Sequence, residues 1–276
     1  MKRAAAVAAT EPDKSASRGI QSAIVGFEVL RVMLDGKGPM QLREIAAGAN
    51  MAPSNVHRYL VSFVNVGMVV QDPVTGRYDL GPFAIRMGLA ALGRIDGVEV
   101  MAAGLSRLVE QAGIDGHTTI WGTTGPVVLR WRGQPGHIGV RVMEGTVLPV
   151  AGSATGRVWA CFLPPAQVKP FVQREIADAA RTGGSSRAQF LARFEKSLQS
   201  IRQCGYSRSS GELRSGIEAI AAPVFGSDGQ IAFTLTLIGP TNTVDVSPGG
   251  HAVRNILDAA TELSGRLGAR VASPRR

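Results

Sequence analysis

Hydrophobic residues recur at helical spacing in three short stretches near the N-terminus, and the period then changes to that of extended strands. Glycine and proline at 36–39 end the first stretch, and residues 50–52 separate the second, at 41–49, from the third, which begins at Pro53. The inward residues predicted for the three helices are Ile24, Phe27, Leu30 and Leu34, then Leu42, Ile45, Ala46 and Ala49, then Val56, Leu60, Phe63 and Val64. Two short helices joined by so tight a turn predict a helix-turn-helix.

The third helix carries hydrogen-bonding side chains on its other face, namely Ser54, Asn55, His57 and Arg58. Arginine can donate two hydrogen bonds to guanine, asparagine can pair with adenine, and serine and histidine can contact bases or phosphates. Taken alone, the segment also fits an ordinary amphipathic surface helix. Its position after a tight turn favours a DNA recognition helix.

An extended hairpin follows this helix. Residues 68–71 and 77–80 have strand character, and the Asp-Pro-Val-Thr-Gly sequence at 72–76 is typical of a turn. We place Arg77 at the tip of this wing, where it would contact the DNA backbone beside the minor groove. Three helices closed by a hairpin predict a winged helix-turn-helix.

The remainder of the chain alternates helices with strands. We predict a linker helix at 83–94, strands at 117–122, 127–132, 137–143, 217–225 and 231–238, and helices at 98–111, 153–163, 165–181, 188–204 and 249–271. The Ser-Asp-Gly sequence at 227–229 indicates a tight hairpin between the last two strands. Antiparallel strands interleaved with helices predict an α+β domain.

Composition agrees with a soluble protein that has a sizeable core, since 45% of the 276 residues are hydrophobic. The net charge of +9 suits a polyanionic partner, but the excess is spread along the chain and supports nucleic acid only weakly. No apolar run is long enough to cross a bilayer, and Cys161 and Cys204 have no metal-ligand spacing. We therefore expect a cytoplasmic protein with two core thiols, no cofactor and no metal site.

The N-terminal motifs resemble the winged helix-turn-helix of the IclR (isocitrate lyase regulator) family of bacterial transcription factors. The resemblance covers residues 19–93 and rests on Glu-Ile-Ala at 44–46, Pro-Ser-Asn-Val-His-Arg-Tyr-Leu at 53–60, Gly-Met-Val at 67–69 and Gly-Arg-Tyr-Asp-Leu-Gly at 76–81. It implies a homodimer or homotetramer on a near-palindromic double-stranded DNA operator. Asn55 and His57 depart from the Thr and Tyr more usual in the family, which leaves the base preference open.

The C-terminal half also resembles this family, whose effector-binding domain is GAF-like. The matching segments are 148–157, 205–206, 216–224 and 239–240. The resulting domain prediction is a disordered tail at 1–18, a winged helix-turn-helix at 19–80, a linker helix at 81–96 and an effector-binding domain at 97–272. The resemblance implies that the linker helix pairs with a second chain, and Gly88, Ala90 and Ala91 would permit close approach. An ordinary connecting helix is the alternative.

The resemblance also implies positions for an effector site. In members that sense small carboxylates, the helix start at 152–156 works with an Asp, a Cys and two Ser. The equivalent residues here are Ser153 and Ala154 at the helix start, followed by Ser209, Ala219, Thr236 and Ile238. Compared with those members, the site loses an acid, a thiol and a hydroxyl and gains an isoleucine. A lining with fewer polar groups predicts a larger or more apolar effector, such as an aromatic or alicyclic compound. The tryptophans at 121, 131 and 159 can contribute to that site or to the core.

Two other classes of function compete with an effector-responsive transcriptional regulator. A small-molecule sensor or interaction module would keep the same folds without binding DNA. A hydrolase would need an activated nucleophile, but Ser153 lacks the Gly-x-Ser-x-Gly elbow and the four histidines show no paired metal spacing. We therefore predict that the protein is not an enzyme.

Overall fold

A computed structural model describes residues 20–36, 38–134, 142–181 and 186–269. Their contacts form two units that separate at Asp96 and Gly97. The predicted tail at 1–18 and most of the strand predicted at 137–143 lie outside the described residues; Val142 and Met143, which are described, are not in a strand. No helix among the described residues is long and apolar enough to span a membrane.

The N-terminal unit is a winged helix-turn-helix followed by a helix. Its elements are α1 (Gln21–Asp35), α2 (Leu42–Gly48), α3 (Pro53–Asn65), β1 (Val69–Gln71), β2 (Tyr78–Leu80) and α4 (Pro82–Leu92). Residues from the first three helices and both strands share one core, which includes Val29, Ile45, Val56, Leu60 and Val69. The two strands pair antiparallel, and Val69 of β1 and Tyr78 of β2 belong to this core. The wing is therefore packed against the helices.

The buried face of α1 is not the predicted one. Ile24, Phe27 and Leu34 are exposed, whereas Gly26, Val29 and Met33 are buried. A Cβ at Gly26 would lie 3.1 Å from the Phe63 ring and 3.2 Å from the Tyr59 ring of α3. Gly26 thus lies where α1 crosses α3, and of the four predicted residues only Leu30 packs against the core.

The start and the packing of α3 agree with the sequence prediction. Pro53 occupies the first turn, where its missing N–H leaves no hydrogen bond unmade. Val56 and Leu60 are fully buried, and Phe63 packs against the core. Val64 was predicted to face inward, but 38% of it is exposed.

The C-terminal unit is an antiparallel sheet with helices on both faces, and its strand order is β4-β3-β7-β6-β5. Its elements are α5 (Val98–Ala112), β3 (Gly116–Gly122), β4 (Gly125–Arg132), α6 (Ala154–Phe162), α7 (Pro165–Arg181), α8 (Arg187–Cys204), β5 (Ser207–Ser210), β6 (Ile217–Phe225), β7 (Ile231–Pro240) and α9 (His251–Arg266). Helices α5 and α9 pack together on the sheet, while α6 packs on the sheet and against α8. The predicted α+β fold class is confirmed.

Four local points of the sequence prediction need correction. The last helix ends at Arg266 and not at 271, and α4 begins at Pro82 and ends at Leu92 where the prediction was 83–94. Strand β5 was missed because its inward side chains, Ser207 and Ser209, are polar and give no hydrophobic alternation. Cys204 is exposed, so only Cys161 is the core thiol that we expected.

Candidate functional site

The polar face of α3 is exposed as predicted. Ser54, Asn55, His57 and Arg58 are all solvent-accessible, and the buried Val56 and Leu60 lie on the other side of the helix. Residues four apart lie on one helical face, so Ser54 and Arg58 project together. No described residue accepts a hydrogen bond from the Arg58 guanidinium or forms an ion pair with it. Its five N–H donors are therefore available to a partner outside the unit.

A groove runs along one flank of this helix. Asn55 and Arg58 line it together with Ser22 and Val25 of α1. The Ser62 hydroxyl donates to the Arg58 carbonyl oxygen over 3.1 Å. Sequence periodicity did not identify Ser22 or Val25, because their role depends on how α1 crosses α3.

Arg77 is not at the tip of the wing. Its guanidinium Nη1 donates to the Pro39 carbonyl oxygen over 2.9 Å and lies 3.7 Å from Glu44 Oε2. The turn is instead organised by Asp72, whose Oδ1 accepts from the N–H groups of Val74 and Thr75, both over 2.8 Å. These two backbone hydrogen bonds lower the pKa of the Asp72 carboxyl. Arg77 thus secures the wing to the residues before α2.

A second candidate site lies on the α6 side of the C-terminal sheet. Ser209 on β5 pairs with Ala219 on β6, which pairs with Ile238 on β7. Side chains that face one another across strands lie on one face, so these three positions form a row. They are three of the residues that the family resemblance predicted for the effector site.

A cavity of about 350 Å³ opens beside this row. Its lining comprises Val142, Met143, Thr146, Leu148, Ser153, Ala154, Thr155, Ser209, Leu213, Arg214, Ile217, Ala219 and Ile238. Five of the six predicted effector positions are thus brought together, and Thr236 is the exception. A volume of this size is in the range of small-molecule sites.

Ser153 acts as the N-cap of α6. Its hydroxyl accepts from the Gly156 N–H over 2.9 Å and donates to the Pro149 carbonyl over 2.6 Å. The backbone N–H groups just before the helix are not available to bind an anion from solution, because the Glu175 carboxylate of α7 accepts hydrogen bonds from Val150, Ala151 and Gly152. Burial raises the pKa of Glu175, and these hydrogen bonds oppose that rise.

A buried polar row lies next to the cavity. His117 on β3 pairs with Thr236 on β7, and Thr155 of α6 joins them, with its Oγ1 2.9 Å from Thr236 Oγ1 and 3.3 Å from His117 Nε2. His117 Nδ1 is buried without a described partner, and burial lowers the pKa of this histidine to about 4. Thr236 is therefore hydrogen-bonded within the protein and lies outside the cavity lining.

The tryptophans belong to the packing of the α6 face. Trp159 is 1% exposed and its indole N–H donates to Thr119 Oγ1 over 2.8 Å. Trp121 and Trp131 pack at the edge of the same cluster. None of the three lines the 350 Å³ cavity, so the core interpretation of these residues is the one that the structure supports.

Comparisons with known proteins agree with both halves of this architecture. The model of the family described as "Bacterial transcriptional regulator IclR C-terminal" matches residues 90–265, and "IclR helix-turn-helix domain" matches residues 22–73. The chain belongs to the IclR family. As an IclR-family member it is an effector-responsive, DNA-binding transcriptional regulator.

Individual members of the IclR family are similar to this protein over nearly its whole length. The HTH-type transcriptional regulator BhcR of Paracoccus denitrificans is 28% identical over 90% of this chain and 88% of its own. The crystal structure of HmgR from Pseudomonas aeruginosa is 32% identical, with a TM-score of 0.58, and covers 92% of this chain and 100% of its own. An IclR homologue from Microbacterium hydrocarbonoxydans, complexed with 4-hydroxybenzoate, shares the fold at 18% identity, with a TM-score of 0.71 over 89% of this chain and 98% of its own.

Three of the remaining cavity residues gave no signal in the sequence, namely Thr146, Leu213 and Arg214. Thr146 lies in a loop, and Leu213 and Arg214 lie in the turn between β5 and β6. Val142 and Met143 lie in the same loop as Thr146, although they were predicted to end a strand. Loops lack the periodicity that reports burial in helices and strands. His117 was identified only as a histidine without a metal partner, and its buried contacts with β7 and α6 depend on tertiary structure.

Proposed function

We propose that two copies of this chain read a near-palindromic operator by inserting α3 of each copy into successive major grooves. The exposed polar face of α3, opposite a fully buried apolar face, is the observation that carries this proposal. Ser54, Asn55, His57 and Arg58 are the proposed base and phosphate contacts. Helix-turn-helix dimers bind half-sites about 34–36 Å apart, or a multiple of that distance.

The second copy has a surface to pack against in the N-terminal unit. Apolar side chains are exposed at Ile20 just before α1, on α1 at Ile24, Phe27 and Leu34, and on α4 at Phe83, Ile85, Met87 and Leu89. Helix α4 has no buried residue at all. Exposed apolar surface on this scale is typical of an interaction site. We assign it to another copy of the chain, because two recognition helices are needed for a palindromic operator.

Arg77 is proposed to support DNA binding from the base of the wing. Its side chain is 40% exposed, so it can approach a phosphate while it holds the Pro39 carbonyl. We further propose a cytoplasmic protein without catalytic activity. In support, the Ser153 hydroxyl caps α6, and no base among the described residues contacts it to activate it.

Regulation is proposed to occur through the cavity next to α6. Effector binding there would favour one placement of the two winged helices in the dimer, and only some placements fit the half-site spacing. Most of the lining is apolar, including Leu148, Ala154, Ile217, Ala219 and Ile238. We therefore propose an aromatic or alicyclic effector in preference to a two- or three-carbon acid.

Substitution of Arg58 tests the assignment of α3. Arg58→Ala is expected to weaken binding to the DNA next to the protein's own gene by about 1–3 kcal/mol and to relax its sequence preference. The physical reason is the loss of a forked donor that has no described partner inside the protein. Gel shifts at several salt concentrations measure this change.

Arg31→Ala is the matched control for Arg58→Ala. Arg31 lies on α1 and pairs with Glu28 over 2.8 Å. Arg31→Ala therefore lowers the net charge of the protein by the same amount as Arg58→Ala and leaves the sequence of α3 unchanged. If both variants bind DNA as tightly and as selectively as the wild type, α3 is not the recognition helix. Binding lost equally in both variants would indicate that charge alone matters.

Calorimetry of the full chain tests the effector class. Benzoate is expected to bind at least about ten-fold more tightly than pyruvate or glyoxylate, because its ring buries more apolar surface. Ala219→Leu should abolish benzoate binding, because the larger side chain would occupy the place on the sheet where the ring is proposed to rest. Tighter binding of either short keto acid would contradict this proposal, and binding that survives Ala219→Leu would place the ligand elsewhere.

A further inference from the structure

The effector cavity contains a single charged side chain among the described residues. Arg214 lines it beside Leu213, and both lie in the segment 211–216 that joins β5 to β6. The hydroxyls of Ser153 and Thr155 face the same space but already have hydrogen-bond partners in the protein. No described residue accepts a hydrogen bond from the Arg214 guanidinium. A charged group on a ligand would therefore find its partner in Arg214.

The segment 211–216 has a glycine at each end in a backbone conformation that favours glycine. Gly211 has φ 75° and Gly216 has φ 79°, and a Cβ at either position would meet nothing within 4 Å. The apolar side chain of Leu213 lines the cavity and is 49% exposed to solvent. Each end of the segment thus has a glycine in a conformation that other residues rarely adopt, and Leu213 gives the segment an apolar surface that a bound ligand would cover.

An ion pair holds this segment to the helix that begins at the cavity. Glu212 Oε2 accepts from Arg157 Nη1 over 2.5 Å. The Arg157 side chain is 8% exposed, and its other hydrogen bonds go to the carbonyl oxygens of Ala151 and Arg208 and to the Ser207 hydroxyl. Glu212 provides the carboxylate for this buried cation, so a displacement of the segment would leave the charge unpaired.

We propose that residues 211–216 form a hinged cap on the effector cavity, in which Arg214 binds a carboxylate of the effector and the Arg157–Glu212 ion pair latches the cap closed. The ligand class is an aromatic or alicyclic carboxylate. Its ring would rest on the apolar row of Ala219 and Ile238, and its charged end would meet Arg214. This inference rests on the proposed effector site and specifies what that site recognises.

The chemistry of the lining favours an anion over a neutral ligand of the same shape. A guanidinium forms two parallel hydrogen bonds with a carboxylate, and such charge-assisted bonds are about twice as strong as neutral ones. An amide in the same position would keep the ring contacts and lose the charge. Benzoate and benzamide are therefore matched probes of Arg214.

The first test compares these probes on the full chain by titration calorimetry. Arg214→Gln is expected to weaken benzoate binding about ten-fold or more and to leave benzamide within about two-fold of the wild type. Arg187→Gln, at the exposed start of α8 and away from the cavity, removes the same charge and should alter neither probe. Equal losses for both probes, or no loss of benzoate affinity in Arg214→Gln, would overturn the role of Arg214.

The second test addresses the latch. Glu212→Gln keeps the shape of the side chain and removes its charge, so the closed cap should open more often. We expect benzoate and benzamide both to dissociate several-fold faster, measured by stopped-flow tryptophan fluorescence, with benzoate still preferred. Unchanged dissociation of both probes would overturn the latch.

These outcomes remain separate from a failure of the proposed function. If neither probe binds the wild type, or if binding survives Ala219→Leu, both the effector-site proposal and the cap are overturned. If benzoate binds in the cavity without dependence on Arg214, the effector site stands and the cap proposal is wrong. DNA binding in the absence of ligand is independent of either result.

Discussion

Gly156→Ala is expected to lower the free energy of unfolding of the C-terminal unit by about 3 kcal/mol or more. A Cβ at this position would lie 2.5 Å from both Cα and O of Val150, and closer still to the Pro149 carbonyl oxygen. All of these are backbone atoms, so no side-chain rotation relieves the overlap. Either the first turn of α6 or the loop that crosses it must move.

Helix propensity acts in the opposite direction but is the smaller effect. Alanine in a helix interior is favoured over glycine by about 1 kcal/mol. The crossing loop cannot simply withdraw, because Glu175 accepts hydrogen bonds from the N–H groups of Val150, Ala151 and Gly152. The overlap therefore outweighs the gain in propensity, and it also displaces the cavity residues Ser153 and Ala154.

Tryptophan fluorescence during urea unfolding measures this change selectively. The three tryptophans, at 121, 131 and 159, all lie in the C-terminal unit. Gly133→Ala is the control, since its Cβ would come no closer than 3.5 Å to any neighbour. We expect a change of no more than about 0.5 kcal/mol for this control. A Gly156→Ala protein as stable as the wild type would mean that the loop relaxes freely.

His117→Gln is expected to reduce the acid sensitivity of the same unit. Burial lowers the pKa of His117 to about 4 from an ordinary value of 6.5. As the pH falls below 6.5 the unfolded chain therefore takes up a proton that the folded chain does not, and stability decreases until the pH nears 4. At about 1.4 kcal/mol per unit, this histidine accounts for a loss of about 3 kcal/mol.

The quantity to compare is the slope of stability against pH, not stability at one pH. Glutamine can still hydrogen-bond to Thr155, which lies 3.3 Å from His117 Nε2. Urea unfolding at several values between pH 7 and pH 4 should give a shallower slope for His117→Gln. His251→Gln, at the exposed start of α9, is the control and should retain the wild-type slope. Parallel curves for His117→Gln and wild type would contradict the buried neutral state.

The sequence by itself determined the features that depend on residues close together in the chain. The spacing of Val56 and Leu60 fixes which face of α3 is buried, because a helix repeats every 3.6 residues. Pro53 marks the start of that helix, and the Asp-Pro-Val-Thr-Gly sequence at 72–76 marks the wing turn. Motif resemblance also located five of the residues that line the effector cavity.

Tertiary structure decided the features that depend on distant partners. Gly26 lies on the buried face of α1 because the rings of Tyr59 and Phe63 lie against it, while Ile24, Phe27 and Leu34 are exposed. Arg77 was predicted at the wing tip, but its guanidinium donates a hydrogen bond to the carbonyl of Pro39, 38 residues away in the chain. Arg214 carried no periodic signal, because it reaches the cavity from a turn between strands. Hydrophobic spacing reports which face is buried, whereas the partner of a polar group is known only once the chain has folded.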